Sequence, residues 1–131
     1  MESEFRKLNE RERELLEKLL DAEFPGRDEW RTQLDSMTGR QVIEDGTLIL
    51  RCDATLPLPT KYKKLGVEGM CKDADGGDIA VLLHADDNGF LRMLEILKYD
   101  GSPVINPPSA RDLVLLLPED RGQRLGGTAA S

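Results

Sequence analysis

Four short turn signals constrain the fold of this chain more than any other sequence feature. Each combines glycine with aspartate or asparagine, and they lie at Asp45-Gly46, at residues 73–78, at residues 86–89 and at Asp100-Gly101. Glycine adopts positive φ angles without a steric penalty, and the short Asp and Asn side chains bond the turn backbone, so these sequences favour tight reversals. Strands joined by tight reversals run antiparallel, which disfavours the doubly wound parallel folds.

Segments rich in strand-forming residues flank these turns. Asp45-Gly46 between two such segments is typical of a two-residue hairpin. Residues 90–99 carry a charged side chain at positions 92, 95 and 98, a spacing that also fits a helix, but the turns on both sides favour a strand. Strands are therefore predicted at residues 41–44, 47–51, 62–72, 79–84 and 90–99.

The opening of the chain has helical periodicity instead. Asn9 is a favourable N-cap, and Glu12 at the third helical position predicts a capping box. Leucines recur on one face of this helix, at Leu8, Leu15, Leu16, Leu19 and Leu20.

A second, shorter helix is predicted from about Asp28. The sequence Phe24-Pro25-Gly26 breaks the first helix, because the residue before proline disfavours helical geometry and glycine permits a reversal. Trp30, Leu34 and Met37 then follow at positions i, i+4 and i+7, which forms one apolar stripe and places the tryptophan in the core.

These elements predict an α+β fold, with an N-terminal helical hairpin packed on one face of an antiparallel sheet of about five strands. Residues 1–120 are expected to form a single domain, and residues 121–131 a disordered tail, because the latter contain too few apolar side chains to pack. Residues 56–59 carry two prolines and predict an extended connection. Residues 109–117 fit either a short helix begun by Ser109 and Asp112 or a final strand.

Composition narrows the classes of function. The 131 residues include 18 Lys and Arg against 25 Asp and Glu, a formal net charge of −7, which argues against general nucleic-acid binding. No apolar stretch approaches the roughly 20 residues that span a bilayer, and no signal peptide is visible, so a cytoplasmic location and no membrane contact are expected. Lys61, Lys63 and Lys64 form the only basic run, which a protective edge strand explains as well as a nucleic-acid contact.

The nucleophile and acid–base candidates are few. Cys52 and Cys71 are the only cysteines and are expected to be reduced thiols, and His84 is the only histidine. A hairpin centred on residues 73–78 places Cys71 opposite Ala80 and His84 opposite Val67. This separates thiol and imidazole by about 13 Å, too far for a catalytic dyad, and leaves His84 partly exposed at a strand end.

The acidic turn suggests a cation site formed by Asp73, Asp75 and Asp78. Closely spaced aspartates in a glycine-rich turn can supply oxygen ligands to calcium, but the positions of the helix–loop–helix calcium motif are not matched here. The same residues fit a solvated hairpin turn, so whether they bind a cation is left open. The acidic turns at residues 73–78 and 86–89 should lie at opposite ends of one strand, as two corners rather than one patch.

Several blocks of the sequence together resemble a family of small bacterial proteins of unknown function, over most of residues 5–117. The blocks are residues 5–12, 24–29, 43–48, 94–96 and 100–103. The resemblance implies a bacterial cytosolic protein and transfers no catalytic residue.

The expected function is that of a non-catalytic protein-binding module, with immunity- or antitoxin-like capture of a protein partner. Negative charge, small size and the absence of nucleotide-binding, serine-hydrolase and zinc-protease motifs support it, and the charge favours a basic partner. The alternative is an enzyme, or a small-ligand or metal-binding domain, with a pocket between the helices and the sheet. A third reading is a self-associating subunit that uses the apolar hairpin at residues 79–99. No catalytic, cofactor-binding or metal-binding residue is assigned, and the oligomeric state is left open.

Overall fold

The fold is α+β, as predicted, and is built on a seven-stranded antiparallel sheet. It was obtained as a computed structural model and is described for residues 5–22, 27–42, 45–52, 67–86 and 88–116. Within these ranges the strands are β1 (Arg6–Lys7), β2 (Thr38–Gln41), β3 (Leu48–Arg51), β4 (Glu68–Lys72), β5 (Asp78–Ala85), β6 (Leu91–Lys98) and β7 (Val114–Leu116). The helices are α1 (Glu10–Leu19), α2 (Arg27–Thr32) and two 3-10 helices, Gln33–Ser36 and Ala110–Asp112.

The strands lie in the order β1-β2-β3-β6-β5-β4-β7, and every neighbouring pair is antiparallel. The acidic turn joins β4 to β5, and the turn around Gly89 joins β5 to β6, with positive φ at Gly76 and Gly89 as tight reversals require. The preference for a strand at residues 90–99 is confirmed. The prediction of about five strands is wrong, because β1 and β7 contain only two and three residues, too few to give a periodic signal.

The hairpin between β2 and β3 differs in detail from the prediction. Gln41 pairs with Leu48, and the Val42 amide donates to the Thr47 carbonyl over 3.1 Å. The innermost bonded residues are therefore Val42 and Thr47, and four residues separate them instead of the predicted two. Gly46 has a φ of 103°, and the Asp45 carboxylate accepts a hydrogen bond from the Thr47 amide. Strand β2 also begins earlier than predicted, at Thr38.

The capping box at the start of α1 is confirmed. The Glu12 amide donates to Asn9 Oδ1 over 2.8 Å, and the Asn9 amide donates to Glu12 Oε1 over 2.9 Å. Arg6 of β1 also binds both oxygens of the buried Glu12 carboxylate, at 2.8 and 2.9 Å. Burial alone would raise the pKa of Glu12, but the hydrogen bonds from Arg6 and Asn9 hold it below its ordinary value.

The predicted helical hairpin is not matched. Strand β1 precedes α1, and α2 has only six residues before the chain tightens into the 3-10 helix Gln33–Ser36. Helix α1 also lies near the later 3-10 helix Ala110–Asp112. The apolar stripe is nevertheless correct, because Trp30, Leu34 and Met37 are all buried.

The helices and one face of the sheet enclose a single apolar core cluster. The Trp30 indole N–H donates to the Gly89 carbonyl over 2.9 Å, which fixes α2 to the turn between β5 and β6. The buried amide of Gln33 donates to the same carbonyl and accepts a hydrogen bond from the Leu91 amide. The largest contributions to the cluster come from Leu15, Leu16, Leu19, Leu20, Trp30, Leu48, Leu50, Ile79, Val81, Leu83, Leu91, Leu94 and Ile96.

The two alternatives predicted for residues 109–117, a short helix and a strand, both occur, one after the other. Ser109 Oγ donates to the Asp112 carboxylate over 3.0 Å beside a 3-10 turn, and β7 follows directly. Several predictions lie outside the described residues: the breaker Phe24-Pro25-Gly26, the connection at residues 56–59, the lysine run at residues 61–64, and the tail.

Candidate functional site: the open face of the sheet

The register assigns each strand residue to one of two faces, because side chains alternate along a β-strand. Ile79, Val81 and Leu83 of β5 face the helices and belong to the core cluster. Over the four central strands β3, β6, β5 and β4, the opposite face, which we call the open face, carries six apolar side chains that are absent from that cluster. They are Ile49, Met70, Ala80, Leu82, Met93 and Leu97.

These side chains form neighbouring rows across the central strands. One row consists of Met70, Ala80 and Leu97, and another of Ile49, Met93 and His84. Leu97 is 41% exposed and Ala80 only 1%, since a methyl group lies low between its larger neighbours. The other apolar members are half-buried. The open face therefore presents apolar surface to solvent over β3, β6, β5 and β4.

A polar pair interrupts this surface. His84 Nε2 lies 2.9 Å from Glu95 Oε1, and the His84 side chain is 49% exposed, as predicted for a strand end. The predicted register is wrong by one residue: Cys71 pairs with Ile79 and Met70 with Ala80. Cys71 therefore belongs to the helical face and His84 to the open face, which reinforces the argument against a dyad between them.

Both cysteines are free thiols. Cys52 Sγ donates to Gln33 Oε1 over 3.4 Å. Burial raises the pKa of the Cys71 thiol, with further contributions from the charges of Asp112 and Asp73. A raised pKa keeps Cys71 protonated, which makes it a poor nucleophile.

A basic corner lies at the β1–β3 side of the open face. We use this name for Phe5, Lys7, Thr38, Arg40 and Arg51. Lys7, Thr38 and Arg51 form one row across three strands, and Arg40 follows in the next. The guanidinium carbons of Arg51 and Arg40 lie 3.9 and 5.5 Å from the centroid of the Phe5 ring. Arg40 Nε is buried and has no hydrogen-bond partner among the described residues.

The aspartates of the predicted cation site bind lysines instead. Lys98 Nζ lies 2.9 Å from Asp73 Oδ2 and 2.7 Å from Asp75 Oδ2, and donates to the Pro103 carbonyl over 3.3 Å. Asp78 pairs with Lys72. Within the described part of the chain, no group of His, Cys, Asp or Glu is arranged to hold a metal ion.

Asp73 is the centre of this network. Its buried carboxylate accepts hydrogen bonds from the backbone amides of Ala74, Ile105 and Asn106, in addition to Lys98. Burial would raise the pKa of Asp73, but the hydrogen bonds from the Ile105 amide and the Lys98 ammonium lower it well below its ordinary value. The network attaches the loop after β6 to the turn between β4 and β5.

Sequence reasoning missed Lys98 as a member of this network. It lies on β6 opposite Ile79, on the face that points into the core, and its side chain is only 2% exposed. Its place at a strand end, followed by a turn, gave no sign that an ammonium group would be buried. The strand register supplies the missing information.

In the second acidic turn, Asp86 also has a basic partner. Arg92 Nε lies 2.7 Å from Asp86 Oδ2, while Asp86 Oδ1 accepts hydrogen bonds from the amides of Asn88 and Phe90. The two acidic turns lie at opposite ends of β5, as predicted. Each contains a basic partner, so neither presents an unbalanced acidic patch through these carboxylates.

Two clefts are lined by described residues. A cleft of about 490 Å³ lies at the end of β6, lined by Asp45, Ile96, Leu97, Lys98, Gly101, Ser102, Pro103 and Val104. Thr47 Oγ1 accepts a hydrogen bond from the Ile96 amide beside it, which closes that part of the strand edge. A second cleft of about 350 Å³ is lined by Arg13, Glu17, Asp28, Arg31, Thr32, Leu34 and Asp35, all in the helical layer. Neither cleft lies between the helices and the sheet.

Comparison with known proteins identifies a family for the chain but gives no activity. No curated protein matches the chain. No solved structure matches it either. No helix within the described ranges is long and apolar enough to cross a membrane. A family model described as a domain of unknown function (DUF6984) matches residues 5–108, which include the basic corner and strands β1 to β6. Because this match covers most of the sequence, the chain belongs to that family of unknown function.

Proposed function

We propose that the chain is a non-catalytic protein-binding module that captures a partner protein on the open face of its sheet, as immunity proteins and antitoxins do. The observation that carries the proposal is the contiguous apolar surface formed by Met70, Leu82, Met93 and Leu97. An exposed apolar patch bordered by polar groups is typical of a protein interaction site. Covering it with a partner removes apolar area from water and is favourable by about 25 cal/mol per Å².

The charges around this surface define the partner. The basic corner adjoins the apolar centre, and it favours a partner surface whose apolar side chains are bordered by carboxylates. The net charge of −7 alone favours a basic partner, but local pairing changes that expectation. Asp73 and Asp75 are paired with Lys98, and Asp86 with Arg92. The corner arginines lie against the Phe5 ring, and among the described residues neither has an ion-pair partner.

The alternative, an enzyme or ligand pocket between the helices and the sheet, has less support because the two clefts that described residues line lie elsewhere. The buried ammonium of Lys98 is also already bound by two carboxylates and a carbonyl oxygen, which leaves it unsuited to act as a base or nucleophile. We place the protein in the bacterial cytoplasm, and its two free thiols support a reducing compartment.

The test compares two lysine variants. Leu97→Lys places a charge at the centre of the open face, and Ile105→Lys makes the same change at an exposed aliphatic residue in the loop after β6. A partner found by affinity capture is purified, and its Kd is measured calorimetrically against each protein. We expect Leu97→Lys to weaken binding by at least about tenfold, roughly 1.4 kcal/mol, and Ile105→Lys to leave the Kd within about twofold.

Three results would contradict the proposal. One is equal binding by the wild-type and Leu97→Lys proteins, and another is the failure of every captured protein to bind once purified. The third is a stable dimer of the chain, measured by sedimentation, that buries Leu97 without any other protein. Unchanged far-ultraviolet circular dichroism and an unchanged Tm confirm that Leu97→Lys is folded.

A further inference from the structure

We propose that the basic corner is an oxyanion-binding subsite, which takes a carboxylate or phosphoryl group on an acidic peptide segment. The proposal rests on the proposed function for the source of this group, a partner protein. The site itself is argued from three observations on Phe5, Lys7, Thr38, Arg40 and Arg51.

The first observation is uncompensated positive charge. Arg40 and Arg51 are diagonal neighbours on adjacent strands, where like charges destabilise a sheet, and arginine does not lose its proton in proteins. Among the described residues, no carboxylate lies within ion-pair distance of Lys7, Arg40 or Arg51. Of the ten other Lys and Arg side chains in the described residues, six have such partners: Arg6, Arg13, Arg27, Lys72, Arg92 and Lys98.

The second observation is the buried Nε–H of Arg40, which has no acceptor within the described structure. A buried donor without an acceptor is uncommon, because its lost hydration is not replaced. An oxyanion that binds side-on to a guanidinium accepts hydrogen bonds from Nε and from one terminal nitrogen. Because Nε is buried in the free chain, the Arg40 side chain must turn toward the open face for an oxyanion to reach this donor, and the carboxylate or phosphoryl group would then supply the missing acceptor.

The third observation is preorganisation. Arg51 stacks 3.9 Å from the Phe5 centroid and Arg40 lies 5.5 Å from the same ring, so one aromatic side chain contacts both guanidinium groups. Stacking occupies the face of a guanidinium and leaves its N–H edge free to donate. The Thr38 side chain lies between Lys7 and Arg51 in the same row, where its hydroxyl adds a further donor.

The size and surroundings of the corner favour a peptide over a nucleic acid. Three cations can bind one or two oxyanions, whereas a nucleic-acid site needs a longer basic track. The net charge of −7 also opposes a long polyanion. The edge strand β1 borders the corner, so an extended segment of another protein can approach it from the side of the sheet.

The test titrates the ¹⁵N-labelled full chain with three probes: a glutamate-containing peptide, the same peptide with phosphoserine, and inorganic phosphate. A glutamine peptide is the matched control. We expect at least one oxyanion probe to shift the amide signals of Thr38 and Arg51 and the Nε signal of Arg40. Binding should weaken as salt increases, because exposed charges are screened.

Variants assign the binding to the corner. Arg51→Gln and Arg40→Gln should each weaken binding at least about tenfold, while Arg111→Gln, which removes an exposed arginine from the 3-10 helix Ala110–Asp112, should leave the Kd within about twofold. Arg51→Lys keeps the charge but loses the planar pair of donors, and should give an intermediate affinity. It also provides a folded comparison if Arg51→Gln proves unstable.

The probes distinguish the source of the group. Binding of inorganic phosphate as tightly as either peptide identifies a free-anion site and overturns the assignment to a peptide segment, while tighter binding of a charged peptide supports it. The inference is also overturned if no probe shifts the corner signals at millimolar concentration, or if Arg51→Gln binds as the wild type does. None of these outcomes depends on Leu97, so failure here leaves the test of the open face intact.

Discussion

Asp73 shows how the hydrogen bonds of one buried carboxylate determine the structural role of a whole turn. Its sequence context, an aspartate at the start of a glycine-rich turn, is equally typical of a solvated reversal and of a cation ligand. The structure shows a third use, in which two oxygens bind three backbone amides and the ammonium of Lys98. The sequence could not distinguish these uses, because Lys98 is 25 residues away and only the strand register brings it near.

The depressed pKa of Asp73 predicts a loss of stability in acid. A carboxyl group whose pKa is lower in the folded than in the unfolded chain contributes its full stabilisation above the unfolded value of about 3.9, and loses it as the pH falls towards the folded value. We expect Asp73→Asn to lower the Tm at pH 7 and to reduce the further decline of Tm between about pH 4 and pH 2. Thermal melts followed by circular dichroism at several pH values measure both effects.

Asp75→Asn is the control for this prediction. Asp75 binds the same ammonium, but its side chain is 41% exposed and one of its oxygens accepts a bond from the Gly77 amide within its own turn. Its replacement should lower the Tm less than Asp73→Asn does. A wild-type Tm that falls in parallel with that of Asp73→Asn below pH 4 would show that Asp73 does not titrate in this range.

At the scale of elements, the sequence predicted correctly the features that depend on hydrogen bonds between residues close together in the chain. The capping box at Asn9 and Glu12 needs only residues within one helical turn, and the turn at residues 73–78 needs only its own backbone, so both could be predicted from the sequence. Strands β1 and β7 have two and three residues and exist because a neighbouring strand pairs with them. The one-residue error at Cys71 has the same origin, since register depends on which side chains the core accepts.

The contact between β4 and the segment before β7 gives an element-scale prediction. A Cβ atom at Gly69 would lie 2.6 Å from Leu113 Cγ, which is shorter than side chains tolerate. We expect Gly69→Ala to reduce the free energy of unfolding by about 1–3 kcal/mol through overpacking. Leu113→Ala should cost about 2–5 kcal/mol by leaving a cavity.

The double variant tests whether the contact with Leu113 causes the loss of stability in Gly69→Ala. If the clash with Leu113 is responsible, the Gly69→Ala/Leu113→Ala protein should be more stable than the sum of the two single effects allows, since the new methyl group enters the vacated space. Urea denaturation of the four proteins gives the coupling free energy. Strict additivity would assign the cost of Gly69→Ala to the strand backbone rather than to Leu113.

At the scale of the whole molecule, the sequence predicted the α+β layers but not the open face of the sheet. The run Ile79-Ala80-Val81-Leu82-Leu83 is typical of a buried strand, and its inward residues are indeed buried. The unbroken apolar run was the one indication of an apolar open face, because a strand with one solvent-exposed face normally alternates apolar and polar residues. The basic corner was not predictable, since Arg40 and Arg51 lie on one hairpin but Phe5 precedes both by more than 30 residues and is brought near them by the two-residue strand β1.

The position of Trp30 gives the molecule an intrinsic optical probe. It is the only tryptophan, it is fully buried, and its indole N–H is bound to the Gly89 carbonyl of the sheet. Its fluorescence therefore reports separation of the helical layer from the sheet, with a shift to longer wavelength as water reaches the ring. Because Trp30 lies on the helical side, partner binding at the open face should leave this emission nearly unchanged, while unfolding shifts it; an equal shift in both experiments would mean that the two faces are coupled.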